Sequence, residues 1–167
     1  ELLMGLHILN DGHVSIQKFK GEWAGASGHP QFMPSSWRKY AVDYDQDGRK
    51  DIWGSYSDAF ASIANYLHLN GWQYQQPWAI QVSIPTNLNS QNFTLKNSKT
   101  VGEWLSLGIK LKDSLPPNSM NFQASIIQPQ GGPDFMVFNN FKVLMKYNNS
   151  IFYAGSVGYL ADRICRR

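Results

Sequence analysis

The run Asp43-Tyr44-Asp45-Gln46-Asp47-Gly48-Arg49-Lys50-Asp51 sets carboxylates at alternate positions, with a glycine after the third. A hard dication takes six to eight oxygen ligands at roughly 2.3–2.6 Å. Alternate acids on a tightly curled loop converge on one point, and the glycine supplies the sharp turn. This is an EF-hand-like calcium pattern. Its expected ligands are Asp43, Asp45, Asp47 and the backbone carbonyl of Arg49. The twelfth position of such a loop falls on Gly54, which has no carboxylate, and Asp58 is the nearest replacement. The competing reading is a solvated acidic turn ahead of a helix. Calcium bound here is a structural staple and not a catalyst, because hydrolytic metal sites place their ions where substrate oxygens reach them.

The elements that position this loop follow from composition and periodicity. A chain of 167 residues, 43% hydrophobic and 14% aromatic, is large enough for one core, or for one domain carrying an insertion. No apolar run reaches the length of a membrane-spanning helix, and no signal-like segment opens the chain at Glu1, so the chain is expected to be a processed or excised piece. One cysteine, Cys165, excludes an internal disulfide and is expected to pack as a small apolar side chain on the last helix. The net charge of +3 is scattered rather than gathered in a stripe, which argues against nucleic acid as a partner. Only Arg163, Arg166 and Arg167 cluster, where they complement the negative end of a C-terminal helix.

Leu2, Leu3, Leu6 and Leu9 recur at helical spacing before Asp11-Gly12, and Phe60, Ile63, Ala64 and Leu67 do so between about Asp58 and Asn70-Gly71. Tyr153, Ala154, Val157, Leu160, Ala161 and Ile164 predict a third helix over 150–167. These three helices are expected to share a core. Strand-like runs at Trp78–Ile84, Phe122–Ile127 and Phe135–Phe138, with a short helix over Thr100–Leu107, predict a β-rich segment between them. The fold class is therefore α+β, a helical core with a small antiparallel β-rich insertion. Its expected divisions are 1–77 with the calcium loop at 43–58, then the β-rich 78–142, then 143–167 completing the helical core.

Ahead of the acidic loop stands Gly21-Glu22-Trp23-Ala24-Gly25-Ala26-Ser27-Gly28-His29-Pro30-Gln31-Phe32-Met33-Pro34-Ser35-Ser36. It is followed by Tyr40-Ala41-Val42-Asp43, by the acidic loop, and by Ala64-Asn65-Tyr66. Lys146-Tyr147-Asn148-Asn149-Ser150 and Tyr153-Ala154 close the series. In this order the motifs resemble the lytic murein transglycosylases of the MltB type, and the resemblance covers essentially the whole chain, the β-rich segment only loosely.

The resemblance implies a lysozyme-like core that cleaves the β-1,4 bond between N-acetylmuramic acid and N-acetylglucosamine in peptidoglycan without water. One glutamic acid protonates the glycosidic oxygen. Its carboxylate then takes the proton of the muramoyl 6-hydroxyl, which attacks C1 and leaves a 1,6-anhydro end. Such an acid needs an apolar, shielded setting to keep its proton, and the second carboxylate of most glycosidases is dispensed with. The resemblance makes Gln31 and Asn148 polar sugar contacts, and Tyr66, Tyr147 and Tyr153 the aromatic lining. Amides donate and accept together, as an acetamido group demands, while tyrosine offers a flat apolar face and a hydroxyl. The plainer alternatives stay open, with Gln31 or Asn148 tying down loop backbone and Tyr66 or Tyr153 filling core. His29 has no nucleophile to activate.

The family's acid sits on a Glu-Ser or Glu-Thr helix motif that this chain lacks. Its glutamates are Glu1, Glu22 and Glu103. Glu22 replaces the serine that in the family lies beside the acid. The acid is therefore expected either in a segment upstream of Glu1 or, failing that, at Glu22. The expected cofactor is structural calcium and the expected partner is the peptidoglycan glycan strand. The chain is expected to be a monomer, in the bacterial periplasm or envelope, with outer-membrane association a property of the full-length protein. A non-catalytic peptidoglycan-binding module and a calcium-dependent envelope scaffold are the alternative functions.

Overall fold

A computed structural model describes residues 1–165, so Arg166 and Arg167 of the expected basic cluster lie outside the described residues. The chain divides into two compact units, the first Glu1–Leu69 and the second beginning at Asn70.

In the first unit α1 (Leu2–Asn10), α2 (Pro34–Tyr40) and α3 (Tyr56–Leu69) are joined by two long loops. Helix α1 does not bury its leucine stripe. Leu2, Leu3 and Leu6 are exposed, and the packed residues are Gly5 and Ile8. The cause is close approach, since a Cβ on Gly5 would meet the Phe19 ring at 3.5 Å and Pro34 at 3.9 Å. Helix α2, unforeseen from periodicity, starts with Pro34 in its first turn, where a missing N–H costs nothing. It buries Trp37 and Tyr40, and the Trp37 indole Nε1 donates to the Lys50 carbonyl at 3.1 Å.

Helix α3 also turns a different face inward from the one its apolar periodicity suggests. Phe60 is 67% exposed and Ala64 is exposed, whereas Asp58, Ala59 and Ser62 are buried. The buried stripe is polar because it satisfies loop backbone. Ser62 Oγ accepts from Val42 N at 2.9 Å and Asn65 Nδ2 donates to the Tyr40 carbonyl at 2.9 Å. Hydrogen bonds, and not apolar area, set the rotation of this helix.

The second unit carries a five-stranded antiparallel sheet in the order β2-β4-β5-β1-β3. Its strands are β1 (Ala79–Ser83), β2 (Lys99–Thr100), β3 (Lys110–Leu111), β4 (Gln123–Ile127) and β5 (Phe135–Val137). Ile80 and Ile126 both pair with Met136, so one face stacks apolar side chains across three strands. These join Val82, Trp104, Ala124 and Phe138 in the core. The Trp104 indole is buried there without an orphan donor, because Nε1 reaches the Ala124 carbonyl at 2.9 Å.

The short helix α4 (Val101–Ser106) opens with a capping box in which Thr100 and Glu103 satisfy each other's backbone. Thr100 N and Oγ1 donate to the Glu103 carboxylate at 2.7 and 2.9 Å and hold its pKa below the ordinary value. A depressed carboxyl stabilises the fold above its unfolded pKa and loses that contribution as pH falls through the folded value. Glu103→Gln is therefore expected to flatten the acid limb of stability below about pH 4. Urea unfolding at pH 7 and pH 3, compared with wild type, measures it.

Helices α5 (Asn139–Tyr147) and α6 (Ile151–Cys165) complete the second unit. Helix α5 runs across residue 142, the expected end of the β-rich segment. It is held from below by Asn140, fully buried, whose Oδ1 accepts from Gln73 N while Nδ2 donates to the carbonyls of Gln73 and Gln76. Helix α6 buries Ala154 and Gly158, while Leu160, Ala161 and Ile164 of its expected face are exposed. The reason is Trp78: a Cβ on Gly158 would overlap its ring, and its Nε1 donates to Asp162 at 3.1 Å. Cys165, expected to pack, is exposed.

Candidate functional site

The glycine-rich loop is built as three short passes of backbone. Antiparallel bridges link Gly21 to Ser27 and Ser27 to Phe32, with Ser27 N and Phe32 N each bonded to the other's carbonyl. The turn between Ser27 and Phe32 puts two residues in the left-handed region, Gly28 at φ +70° and Gln31 at φ +53°. A non-glycine residue held there marks a position the surroundings over-determine. Gln31 is exposed, and both its backbone N and its Nε2 donate to the Gly28 carbonyl at 3.0 Å. The amide thus does tie the loop, and its oxygen remains an acceptor.

Behind Gln31 lies an aromatic cluster. The buried Phe32 ring stands 5.8 Å from Tyr66 and 6.3 Å from Tyr40, and Tyr40 and Tyr66 are 4.6 Å apart. Burial raises the Tyr66 pKa above its ordinary value, with the neighbouring Tyr40 adding to the shift, so its hydroxyl stays a neutral donor and acceptor. Phe32 and Tyr40 belong to the motifs at 31–36 and 40–43, and the packing that joins them to Tyr66 is not visible in sequence order. Ser35, in the first turn of α2, gives its N–H and hydroxyl to Glu1 at 2.9 and 2.6 Å, and these bonds hold the Glu1 carboxyl below its usual range.

In the acidic loop Asp43, Asp45 and Asp47 present one carboxylate oxygen each, all within 4.8 Å of one another. That span fits oxygens disposed around one ion at roughly 2.3–2.6 Å, and an all-oxygen set suits calcium over softer metals. Gly48, at φ +87°, makes the turn, and its N–H and that of Asp47 both point at the Asp43 carboxylate. The hydroxyls of Ser55 and Ser57 approach Asp45 Oδ2 at 3.2 and 3.4 Å. Asp58 stands apart from the triad. It is fully buried, and its two oxygens accept from Tyr44 N and Asp51 N, each at 2.8 Å. In this arrangement it closes the two ends of the loop onto the first turn of α3.

The remaining expected residues gather elsewhere. Tyr147 ends α5, Asn148 caps it, and Tyr153 lies in the first turn of α6. The two tyrosine rings are stacked 6.4 Å apart with an 11° tilt, and the Asn148 side chain between them in sequence is exposed. Gln31 and Tyr66 thus belong to the first unit and Tyr147, Asn148 and Tyr153 to the second. Glu22 is exposed, its backbone paired with Ala26 and Gly25. Of the twelve acidic side chains only Asp58 is buried, and both of its oxygens are already engaged.

A glycine loop, an aromatic cluster and an acidic triad are carried on an α+β frame of lysozyme-like type. Residues 1–162 match the family model described as "Transglycosylase SLT domain", and the chain belongs to that family. It is 31% identical to membrane-bound lytic murein transglycosylase B of Escherichia coli (strain K12), over 98% of this chain and 45% of that protein. SltB3 from Pseudomonas aeruginosa, solved in complex with NAG-NAM-pentapeptide, superposes with a TM-score of 0.93 and 44% identity over 99% of this chain and 46% of that one. The Escherichia coli lytic transglycosylase SLT35 in complex with calcium gives a TM-score of 0.80 and 29% identity over 98% of this chain and 51% of that one. The chain spans about half the length of the relatives it matches. No helix among the described residues is long and apolar enough to cross a membrane.

Proposed function

We propose that this chain holds the glycan in a peptidoglycan lytic transglycosylase, which splits the β-1,4 bond between N-acetylmuramic acid and N-acetylglucosamine and leaves 1,6-anhydromuramoyl ends. The observation that carries the reading is the family match over residues 1–162 joined to 44% identity with a protein in complex with NAG-NAM-pentapeptide. In this reading Gln31 and Asn148 bond the acetamido and hydroxyl groups, and Tyr66, Tyr147 and Tyr153 line the sugar path. Asp43, Asp45, Asp47 and the Arg49 carbonyl hold a calcium ion that stiffens the acidic loop and takes no part in the chemistry. The partner is the glycan strand, met by a monomer in the periplasm or cell envelope.

The proton donor is assigned by what a general acid requires. It must stay protonated until the glycosidic oxygen takes the proton, which calls for burial among apolar groups. Glu1 and Glu103 accept hydrogen bonds that favour their ionised forms, and Glu22 lies in water without shielding. The reading therefore places the acid on a residue beyond these 167. The 167-residue chain alone is expected to bind peptidoglycan yet release few or no 1,6-anhydromuropeptides, as measured by mass spectrometry of digested sacculi. Robust release that disappears in Glu22→Gln would instead make Glu22 the acid. Because the one buried carboxyl among the described residues, Asp58, is engaged through both oxygens, the second reading is a binding module that keeps the contacts without the chemistry. The two part when peptidoglycan binding and 1,6-anhydromuropeptide release are assayed with whatever sequence the gene encodes ahead of Glu1.

A further inference from the structure

We propose a second glycan-binding site in the second unit, on a stripe of α6 that the residues of the proposed function do not use. It rests on that function, because its ligand is the same polymer. The site is a canyon of about 1050 Å³ between α6, strand β1 and the loops at 113–116 and 129–133. That volume stands at the top of the range of roughly 300–1,000 Å³ typical of ligand sites. Phe152, Gly155, Ser156 and Tyr159 line it from α6. Spaced at three, four and seven residues, they share one side of the helix. Tyr153 falls outside this stripe, and neither Tyr147 nor Asn148 lines the canyon.

The lining selects the ligand. Phe152 and Tyr159 are 63% and 54% exposed, an unusual loss of apolar burial for two rings on one wall of a cavity. Arg163 fixes the Tyr159 ring, its guanidinium 5.2 Å from the centroid and its Nε donating to the hydroxyl at 3.1 Å. Asp162, bonded to the Trp78 indole, anchors the canyon floor. Flat exposed rings suit the C–H face of a pyranose. Gln81, Gln130 and Ser156 both donate and accept, as sugar hydroxyls and acetamido groups require. The charged lining is Asp113 and Asp162 against Arg163, with no cationic excess to draw a carboxylate or phosphate. A neutral chain of N-acetylated hexosamines fits, and an acidic stem peptide does not. A second hold on the same strand raises retention on the polymer by effective concentration and adds nothing to the bond-breaking step.

The test is a titration of the isotopically labelled 167-residue chain with the β-1,4-linked N-acetylglucosamine tetramer, followed by amide chemical shifts. Shifts are expected at Gln81, Phe152, Gly155 and Tyr159. The double variant Phe152→Ala/Tyr159→Ala is expected to weaken that binding about tenfold, since each ring contact contributes a few-fold. It should leave the response at Gln31 and Asn148 unchanged. Both rings are exposed, and Gln130→Ala, on an exposed loop, serves as an independent variant if the double one misfolds. Shifts confined to Gln31 and Asn148 overturn the canyon while leaving the proposed function standing. Shifts confined to the canyon support it and remove Gln31 and Asn148 as sugar contacts. No shift anywhere overturns both, and a stronger response to a free stem pentapeptide than to the tetramer overturns the canyon as a glycan site.

Discussion

Asp58→Asn is expected to cost about 3 kcal/mol of stability whether calcium or a chelator is present. The side chain is fully buried, and its two oxygens receive Tyr44 N and Asp51 N at 2.8 Å each. An amide at this position keeps one acceptor and turns an NH₂ toward the second backbone N–H. One buried donor is orphaned and a repulsive contact replaces a charge-assisted bond. Tyr44 and Asp51 lie near the two ends of the acidic loop, so the loop loses both its closure and its attachment to α3. Asp45→Asn makes the contrast. Asp45 is exposed and its change is expected to matter little in chelator, as surface substitutions do. In calcium it is expected to remove most of the ion's stabilisation, which for one site at a hundred times Kd is about 2.7 kcal/mol. Thermal or urea unfolding of both variants at equal ionic strength separates the roles. A loss at Asp58→Asn that appears only with calcium would make Asp58 a ligand. An unchanged wild-type transition with calcium and chelator would remove the metal.

The contrast between these two aspartates shows what the sequence carried. Alternation of Asp43, Asp45 and Asp47 with Gly48 is a local pattern, and their oxygens meet as that pattern requires. Asp58 is the first carboxylate past Gly54, and its oxygens accept from the backbone N–H groups of Tyr44 and Asp51, a pairing that spacing does not encode. The same distinction runs through the helices. The strand runs near 79–83, 123–127 and 135–137 were legible because a buried sheet needs apolar area along its length. The inward faces of α1, α3 and α6 were legible only in part, because beside Ile8, Ala59 and Ala154 they carry Gly5, Asp58, Ser62 and Gly158, residues suited to close approach or to hydrogen bonds. Hydrophobic periodicity finds the apolar side of a helix, and in these three much of that side is exposed. Helix α5 was missed for a related reason. Its opening Asn139-Asn140 reads as loop, yet Asn140 is buried, with three hydrogen bonds to the chain at 73–76.

Gly28→Ala is expected to destabilise the first unit by about 3 kcal/mol, where Gly48→Ala is expected to cost about 1 kcal/mol. Both glycines have positive φ, +70° and +87°, so both substitutions carry the left-handed penalty. Around Gly48 a Cβ meets nothing within 4 Å, whereas at Gly28 it lies 2.7 Å from Ile52 Cγ1, 2.8 Å from Cδ1 and 2.9 Å from the Ile52 carbonyl. Ile52 is fully buried, and its carbonyl accepts from His29 N at 2.9 Å, so it cannot yield without breaking the bond that pins the glycine loop to the end of the acidic loop. Urea unfolding of both variants, with Ile52→Ala alone and combined, isolates the clash. Truncating Ile52 removes the side-chain overlap but leaves the carbonyl, so the cycle is expected to show partial rescue and not additivity. The functional consequence follows from Gln31, whose backbone N and Nε2 both donate to the Gly28 carbonyl. Moving that carbonyl moves the amide proposed to meet the sugar. Below the melting temperature of both variants, binding of the N-acetylglucosamine tetramer should fall several-fold in Gly28→Ala and stay near wild type in Gly48→Ala. Equal binding in the two would mean that Gln31 only ties its own loop, and that the sugar is held elsewhere.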